Sequence, residues 1–153
     1  MIAIWIVVGV AAGLLLLLIG SAALTIDDWS RDLATNHAAT SENADDEALR
    51  PVHAKLSVSQ LAALVKQSAE ELPRWELAEE VSGQGEVVRL NYVRTTALLR
   101  FRDDITVTIS PEGEGSLITA ESQSRVGKGD LGQNPRNLRE LLGGVRRRLG
   151  PSE

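Results

Sequence analysis

The chain is 153 residues long and its first 26 carry no charged side chain, so the remainder has room for one domain of ordinary size and a connector, but not for two domains. The formal net charge is −5, from 16 basic and 21 acidic residues, and the lack of cysteine excludes a disulfide framework, a thiolate nucleophile and cysteine-ligated metal centres. Two histidines, His37 and His53, are too few for a histidine-rich metal site, and 3% aromatic residues do not furnish the stacking surfaces of single-strand nucleic-acid binders.

Residues 1–26 read as a transmembrane anchor that partners a lipid bilayer. As a helix the stretch would be about 39 Å long, against a hydrocarbon core of roughly 30 Å. Trp5 and Trp29 lie near its two ends, where indole rings favour the headgroup level. The alternative is a cleaved secretory signal with Ser21-Ala22-Ala23 as a small-residue cleavage site. Against that, no Lys or Arg precedes the apolar run, and the run outlasts a signal's apolar region. The acidic Asp27-Asp28 flank points to a short cytoplasmic N-terminus and an exported remainder. The expected location is a bacterial inner membrane, crossed once, with the C-terminal domain in the periplasm. Gly9 and Gly13 form a G-x-x-x-G pair that can bring two such helices into a weak homodimer, although Gly is also simply frequent in membrane helices.

Residues 27–50 hold seven acids and only Arg31 and Arg50 as bases. Their middle has no apolar periodicity, so the segment reads as an acidic, flexible, solvated linker in which His37 is exposed. From residue 51 onward 14 bases balance 14 acids, and the domain is neutral.

A globular domain is expected over 51–149, followed by a short tail at 150–153. Pro51 to Leu56 reads as a short strand carrying His53, a packed or edge histidine. Ser57 opens a capping box with Gln60, which predicts a helix over 58–72 ended by Pro73. Arg74 to Ser82 alternates, with Trp75, Leu77, Glu79 and Val81 on one face; a glycine turn leads to a strand over 86–94. An odd-numbered stripe follows, Leu99, Phe101, Asp103, Ile105, Val107 and Ile109, then a turn at 111–115 and a strand over 116–125. In the last element Asn134 reads as the N-cap, Pro135 as the first helical residue, and Leu138, Leu141, Leu142, Val145 and Leu149 as one apolar stripe. The fold class is therefore α+β: after the transmembrane helix, an antiparallel sheet with two helices packed on one face, in the order β-α-β-β-β-β-α.

One stretch invites a chemical reading. From Ser122 to Leu149 there are seven bases and two acids, and Gly127, Gly129 and Gly132 shape a loop that leads into a helix N-terminus. Free N–H groups there attract anions, so Arg125, Gly127, Lys128, Gly129, Asp130, Asn134 and Arg136 form a candidate site for a phosphate, a carboxylate or a lipid headgroup. The opposing reading is a structural loop whose amides Asp130 ties down. The spacing matches neither a Walker loop nor a dinucleotide fingerprint in a parallel unit. Asp103 falls on the buried parity of its strand, where a carboxylate needs a partner; Arg125, at the end of the neighbouring strand, is the expected one, unless a bulge turns Asp103 outward. No nucleophile elbow, metalloprotease motif or carboxylate pair supplies a catalytic residue or a metal site, and no cofactor is implied.

Phe101-Arg-Asp-Asp104 before an alternating strand, and Ser122, Ser124, Arg125, Gly127, Asp130, Gly132 and Asn134 in the spacing Ser-x-Ser-Arg-x-Gly-x-x-Asp-x-Gly-x-Asn, with Arg139 in the helix beyond, resemble the domain of unknown function 1499 family. The resemblance covers roughly residues 51–149, and Pro135-Arg-Asn-Leu138 departs from it by being less basic than the family's helix start. It implies bacterial or plastid proteins with an export signal or membrane anchor, and no established activity. The expected role is non-enzymatic binding or assembly in the envelope, with anionic headgroups or an envelope protein as partner. The competing role is a small-molecule or anion-binding domain, or an enzyme, built on loop 125–136. Domain neutrality and export disfavour nucleic acid.

Overall fold

A computed structural model describes residues 1–23, 34–83 and 86–150, with the side chains of 2, 3, 18, 19 and 21–23 left out of the description. Trp29, the Asp27-Asp28 flank and Arg31 lie outside the described residues, as does the tail beyond 150. Helix α1 (Ile2–Ala23) contains no charged residue. Its large apolar side chains from Ile4 to Leu17 are all exposed, and a Cβ added at Gly9 or Gly13 would meet nothing within 4 Å. That uninterrupted run is about 21 Å of helix against a hydrocarbon core of roughly 30 Å. Among the described residues no helix is long and apolar enough to cross a membrane.

The rest is mixed α+β. Strands β1 (His37–Ala39), β2 (Val52–Ala54), β3 (Trp75–Ser82), β4 (Val88–Thr95), β5 (Arg102–Glu112) and β6 (Gly115–Ser124) form one antiparallel sheet in the order β1-β6-β5-β4-β3, with β2 pairing β6 as well. Helices α2 (Val58–Glu70) and α3 (Gln133–Leu149) pack on one face. From residue 51 onward the element order matches expectation. Ile105, Val107 and Ile109 of β5 stand directly across from Ser122, Ala120 and Ile118 of β6, and all six are buried. They meet Leu61 and Val65 of α2 and Leu138, Leu141, Leu142 and Val145 of α3 in one core. Ser57 caps α2 as expected: its Oγ accepts from Gln60 N, and Gln60 Oε1 accepts from Ser57 N at 3.0 Å.

Four expectations are corrected. Residues 36–50 are not a free linker. β1 pairs with Glu121–Gln123 of β6, a 3-10 turn forms at Glu47–Leu49, and Leu49 enters the core. The apolar signal was hidden because one leucine and a three-residue strand are too short to show a period. Leu99 and Phe101 do not continue the buried stripe; β5 begins at Arg102, and both residues are exposed on the loop before it. A register shift between Leu77 and Glu79 breaks the Trp75, Leu77, Glu79, Val81 stripe, so that Glu80, opposite the buried Leu90, reaches Lys66 of α2 instead. Finally, Asn134 is not the N-cap of α3. The cap is Gly132, at φ 74°, and Asn134 lies inside the first turn, fully buried.

Candidate functional site

The side chains of the Ser-x-Ser…Asn pattern meet inside the domain, where α3 crosses β5 and β6. Ser122 and Ser124 share the parity of the core face of β6; Asp103 faces Ser124 from β5. On α3, Asn134 and Asn137 each lie four residues before a core leucine, Leu138 and Leu141, hence on the same stripe. Ser124 Oγ donates to Asp103 Oδ1 at 2.7 Å, and Asn137 Nδ2 donates to Asp103 Oδ2 at 3.0 Å. Ser122 Oγ donates to Asn134 Oδ1 at 2.6 Å and accepts from Asn137 Nδ2 at 3.1 Å. Asn134 Nδ2 reaches Ser124 Oγ at 3.0 Å and the carbonyl of Asn36 at 2.7 Å. Arg94 of β4, the direct cross-strand neighbour of Asp103, completes the cluster by donating to Asn137 Oδ1 at 2.7 Å.

The buried ion pair expected between Asp103 and Arg125 does not form. Asp103 is 1% exposed, and neutral hydroxyl and amide donors hold both its oxygens. Arg125, just past the end of β6, turns outward and grips the neighbouring carboxylate, Asp104, with Nε at 2.8 Å and Nη2 at 2.7 Å. This bidentate pair raises the Arg125 pKa. Parity decides the partner: successive residues of a strand point to opposite faces.

In loop 125–132, Gly127 at φ 96° and Gly132 at φ 74° take left-handed conformations closed to most side chains. Asp130 folds back on the helix start, accepting from Gly132 N at 2.9 Å and Asn134 N at 2.7 Å. A carboxylate of the chain thus occupies the amides that an incoming anion would use. Lys128 is exposed; Gly129 is half-buried; Arg136 touches Gln133 Oε1 at 3.5 Å. Among the basic residues of α3, three are committed to the fold. Arg139 Nε binds Asp46 at 2.6 Å, which holds the Asp46 carboxyl below its usual range. Arg146 donates to the carbonyls of Ala48 and Arg50, and Arg148 pairs with Glu71. Arg139 and Arg146 clamp residues 46–50 onto the helix, and Arg148 ties the end of α2 to it.

The family model described as "Protein of unknown function (DUF1499)" matches residues 28–144. The chain belongs to the DUF1499 family. No curated protein and no solved structure matches it. The DUF1499 match begins well before residue 51, in keeping with the clamped segment being part of the domain.

The DUF1499 domain also carries an open groove of about 810 Å³ at the far end of the sheet, lined by His53, Lys55, Leu56, Leu64, Glu112 and Leu149 among others. Neither Asp103 nor loop 125–136 contributes to it. His53 is exposed there, with Nδ1 2.6 Å from Glu112 and Nε2 3.3 Å from Glu42; the Glu112 hydrogen bond is the main cause of its raised pKa. His37 is partly exposed on β1, 3.6 Å from Glu121. Sequence reasoning missed Asn36, Arg94 and Asn137 as members of the DUF1499 cluster. Two of them left a signal: Arg94 continues the Leu90, Tyr92 parity, and Asn137 sits on the leucine stripe.

Proposed function

We propose that the chain is a single-pass membrane protein of the bacterial envelope, in which an uncharged N-terminal helix anchors an exported α+β domain with a non-enzymatic binding or assembly role. The observation that carries this reading is the opening stretch. Twenty-six residues without a charge contain a helix from Ile2 to Ala23 whose large described side chains all face outward. The described apolar run covers about 21 Å and the uncharged sequence on either side of it supplies the remainder of a roughly 30 Å span; lipid is the solvent in which such a surface is at its most stable. Contiguous apolar surface of this size marks a membrane or protein contact.

The non-enzymatic half of the reading rests on the motif. Its hydroxyls and amides satisfy one another, and they clasp Asn36, the residue through which the N-terminal segment joins the sheet. Such a cluster fixes the exit of the tether relative to the domain. A catalytic use of Asp103 would require a substrate to displace Ser124 and Asn137 from a carboxylate that water does not reach.

The test is alkaline carbonate extraction of membranes from cells expressing the full chain, with the intact mass measured in parallel. Retention in the pellet at the unprocessed mass supports the anchor. Release into the supernatant refutes it, and a mass lacking residues up to about Ala23 assigns the segment to a cleaved signal.

A further inference from the structure

Three separate segments converge at one end of the sheet. The loop 96–101 joins β4 to β5 and is closed by Thr96 N donating to Phe101 O at 2.8 Å. The motif loop leaves β6 beside it, with Arg125 N bound to Arg102 O at 3.0 Å. The N-terminal segment arrives at the same place. Asn36 O accepts from Ser124 N at 2.9 Å, and Asn36 Nδ2 donates to Gly127 O at 2.8 Å. After α1, seven large apolar side chains are exposed among the described residues, and five of them are here: Leu98 at 79%, Leu99 at 65%, Val126 at 57%, Phe101 at 44% and Leu131 at 42%. Arg100, Arg102 and Lys128 are interleaved with them and exposed. The opposite end of the sheet shows no such apolar cluster; its two turns expose Glu86, Glu112 and Glu114, with His53 and Lys55 beside them.

We propose that this end is a membrane-docking surface: Leu98, Leu99, Phe101, Val126 and Leu131 enter the interfacial layer of the bilayer that holds α1, and Arg100, Arg102 and Lys128 meet anionic headgroups. The proposal rests on the anchor reading and adds to it a defined orientation of the domain. Continuity of the chain names the occupant. Only residues 24–35 separate α1 from Asn36, a reach of at most about 45 Å, so the end that receives the tether is held within that distance of the bilayer. Confinement on so short a tether gives the surface a high effective concentration of membrane, and shallow apolar insertion with a few basic residues then suffices to hold it down. The charge at this end agrees: Arg100, Arg102 and Lys128 are exposed toward the anionic surface. The exposed Leu98 and Leu99, which a soluble loop has no reason to cluster, acquire an apolar phase.

Because the chain has no cysteine, single labels can be placed without background. Full-length Val126→Cys and Glu114→Cys chains carrying an environment-sensitive fluorophore are reconstituted into vesicles of phosphatidylcholine with phosphatidylglycerol, some of whose lipids bear a nitroxide near the headgroup. The expected result is blue-shifted, quenched emission at 126 and unquenched emission at 114, with loss of the quenching at 126 when Leu98→Glu and Leu99→Glu are added. A chain that stays with the vesicles while its label at 126 is as unquenched as that at 114 overturns the docking and leaves the anchor standing. A chain that does not stay with the vesicles overturns both. A label at 126 shielded from aqueous iodide yet untouched by the lipid nitroxide assigns the surface to a protein contact and likewise overturns the proposal.

Discussion

Replacing Asn134 by Ala tests whether the family motif is a clasp or an exposed binding site. The amide is fully buried and makes three hydrogen bonds, from Ser122 Oγ at 2.6 Å, to Asn36 O at 2.7 Å and to Ser124 Oγ at 3.0 Å. At about 1 kcal/mol net for each, the substitution costs roughly 3 kcal/mol. The carbonyl of Asn36 keeps Ser124 N and Ser122 Oγ keeps Asn137 Nδ2, so the upper end of the orphaned-group penalty does not apply. A loss of this size is roughly a hundredfold in the folding equilibrium and a large share of the roughly 5–15 kcal/mol that holds a typical domain together. Arg125→Ala is the comparison. Its pair with Asp104 is bidentate but about half exposed on both sides, and exposed pairs contribute under about 1 kcal/mol. Urea unfolding of the full chain in detergent micelles, followed by tryptophan emission, should show a large drop in midpoint for Asn134→Ala with unchanged slope, and a small one for Arg125→Ala. If Asn134→Ala unfolds within about 0.5 kcal/mol of the parent, or if Arg125→Ala is the more damaging, the motif is not the clasp described here.

Three further outcomes follow from the same geometry. In Gly115→Ala the new Cβ would lie 2.2 Å from the carbonyl oxygen of Ala54, so β2 must move off β6; a loss of about 3 kcal/mol or more, or failure to fold, is expected by the same denaturation assay. Tyr92 is the single tyrosine, buried against Trp75 in an edge-to-face contact at 5.8 Å, and burial pushes its phenol up to about 12. Absorbance at the phenolate band should therefore titrate near 12 in the folded chain, and stability should decline as pH rises from about 10, where the unfolded phenol ionises; titration near 10 without unfolding would contradict the burial. Glu112 and Glu42 raise the pKa of His53, so its contribution to stability is present below about pH 6.5 and lost as pH rises through the elevated folded value. An NMR titration should show that value falling in Glu112→Gln, and no change would remove Glu112 as the cause.

Much of the domain was legible because its elements are long enough to show their periods. The Ile105, Val107, Ile109 alternation and the Leu138, Leu141, Leu142, Val145 stripe both predict buried faces, and both are buried. The capping box at Ser57 and Gln60 was readable from two residues because its chemistry is local. What failed depends on partners far along the chain. Asp46 looks like one acid in a solvated run until Arg139 stands 2.6 Å away, and nothing within residues 27–50 announces that pairing. Asn134 has the composition of a cap, yet Asp130 supplies the cap bonds four residues earlier and leaves Asn134 free to turn into the core. The choice between Asp103 and Asp104 as partner of Arg125 depends on which face each occupies, and residue type alone is silent on that. Leu99 and Phe101 read as the start of a strand because the alternation runs on past the point where hydrogen bonding begins at Arg102.

The anchor and the docked end both require the domain to lie on the exported side of the lipid. Externally added protease applied to intact spheroplasts expressing the full chain, with detection of an epitope after residue 150, measures this in one step. Loss of the epitope while a cytoplasmic marker survives is the expected result. An epitope that persists until the spheroplasts are lysed would contradict it.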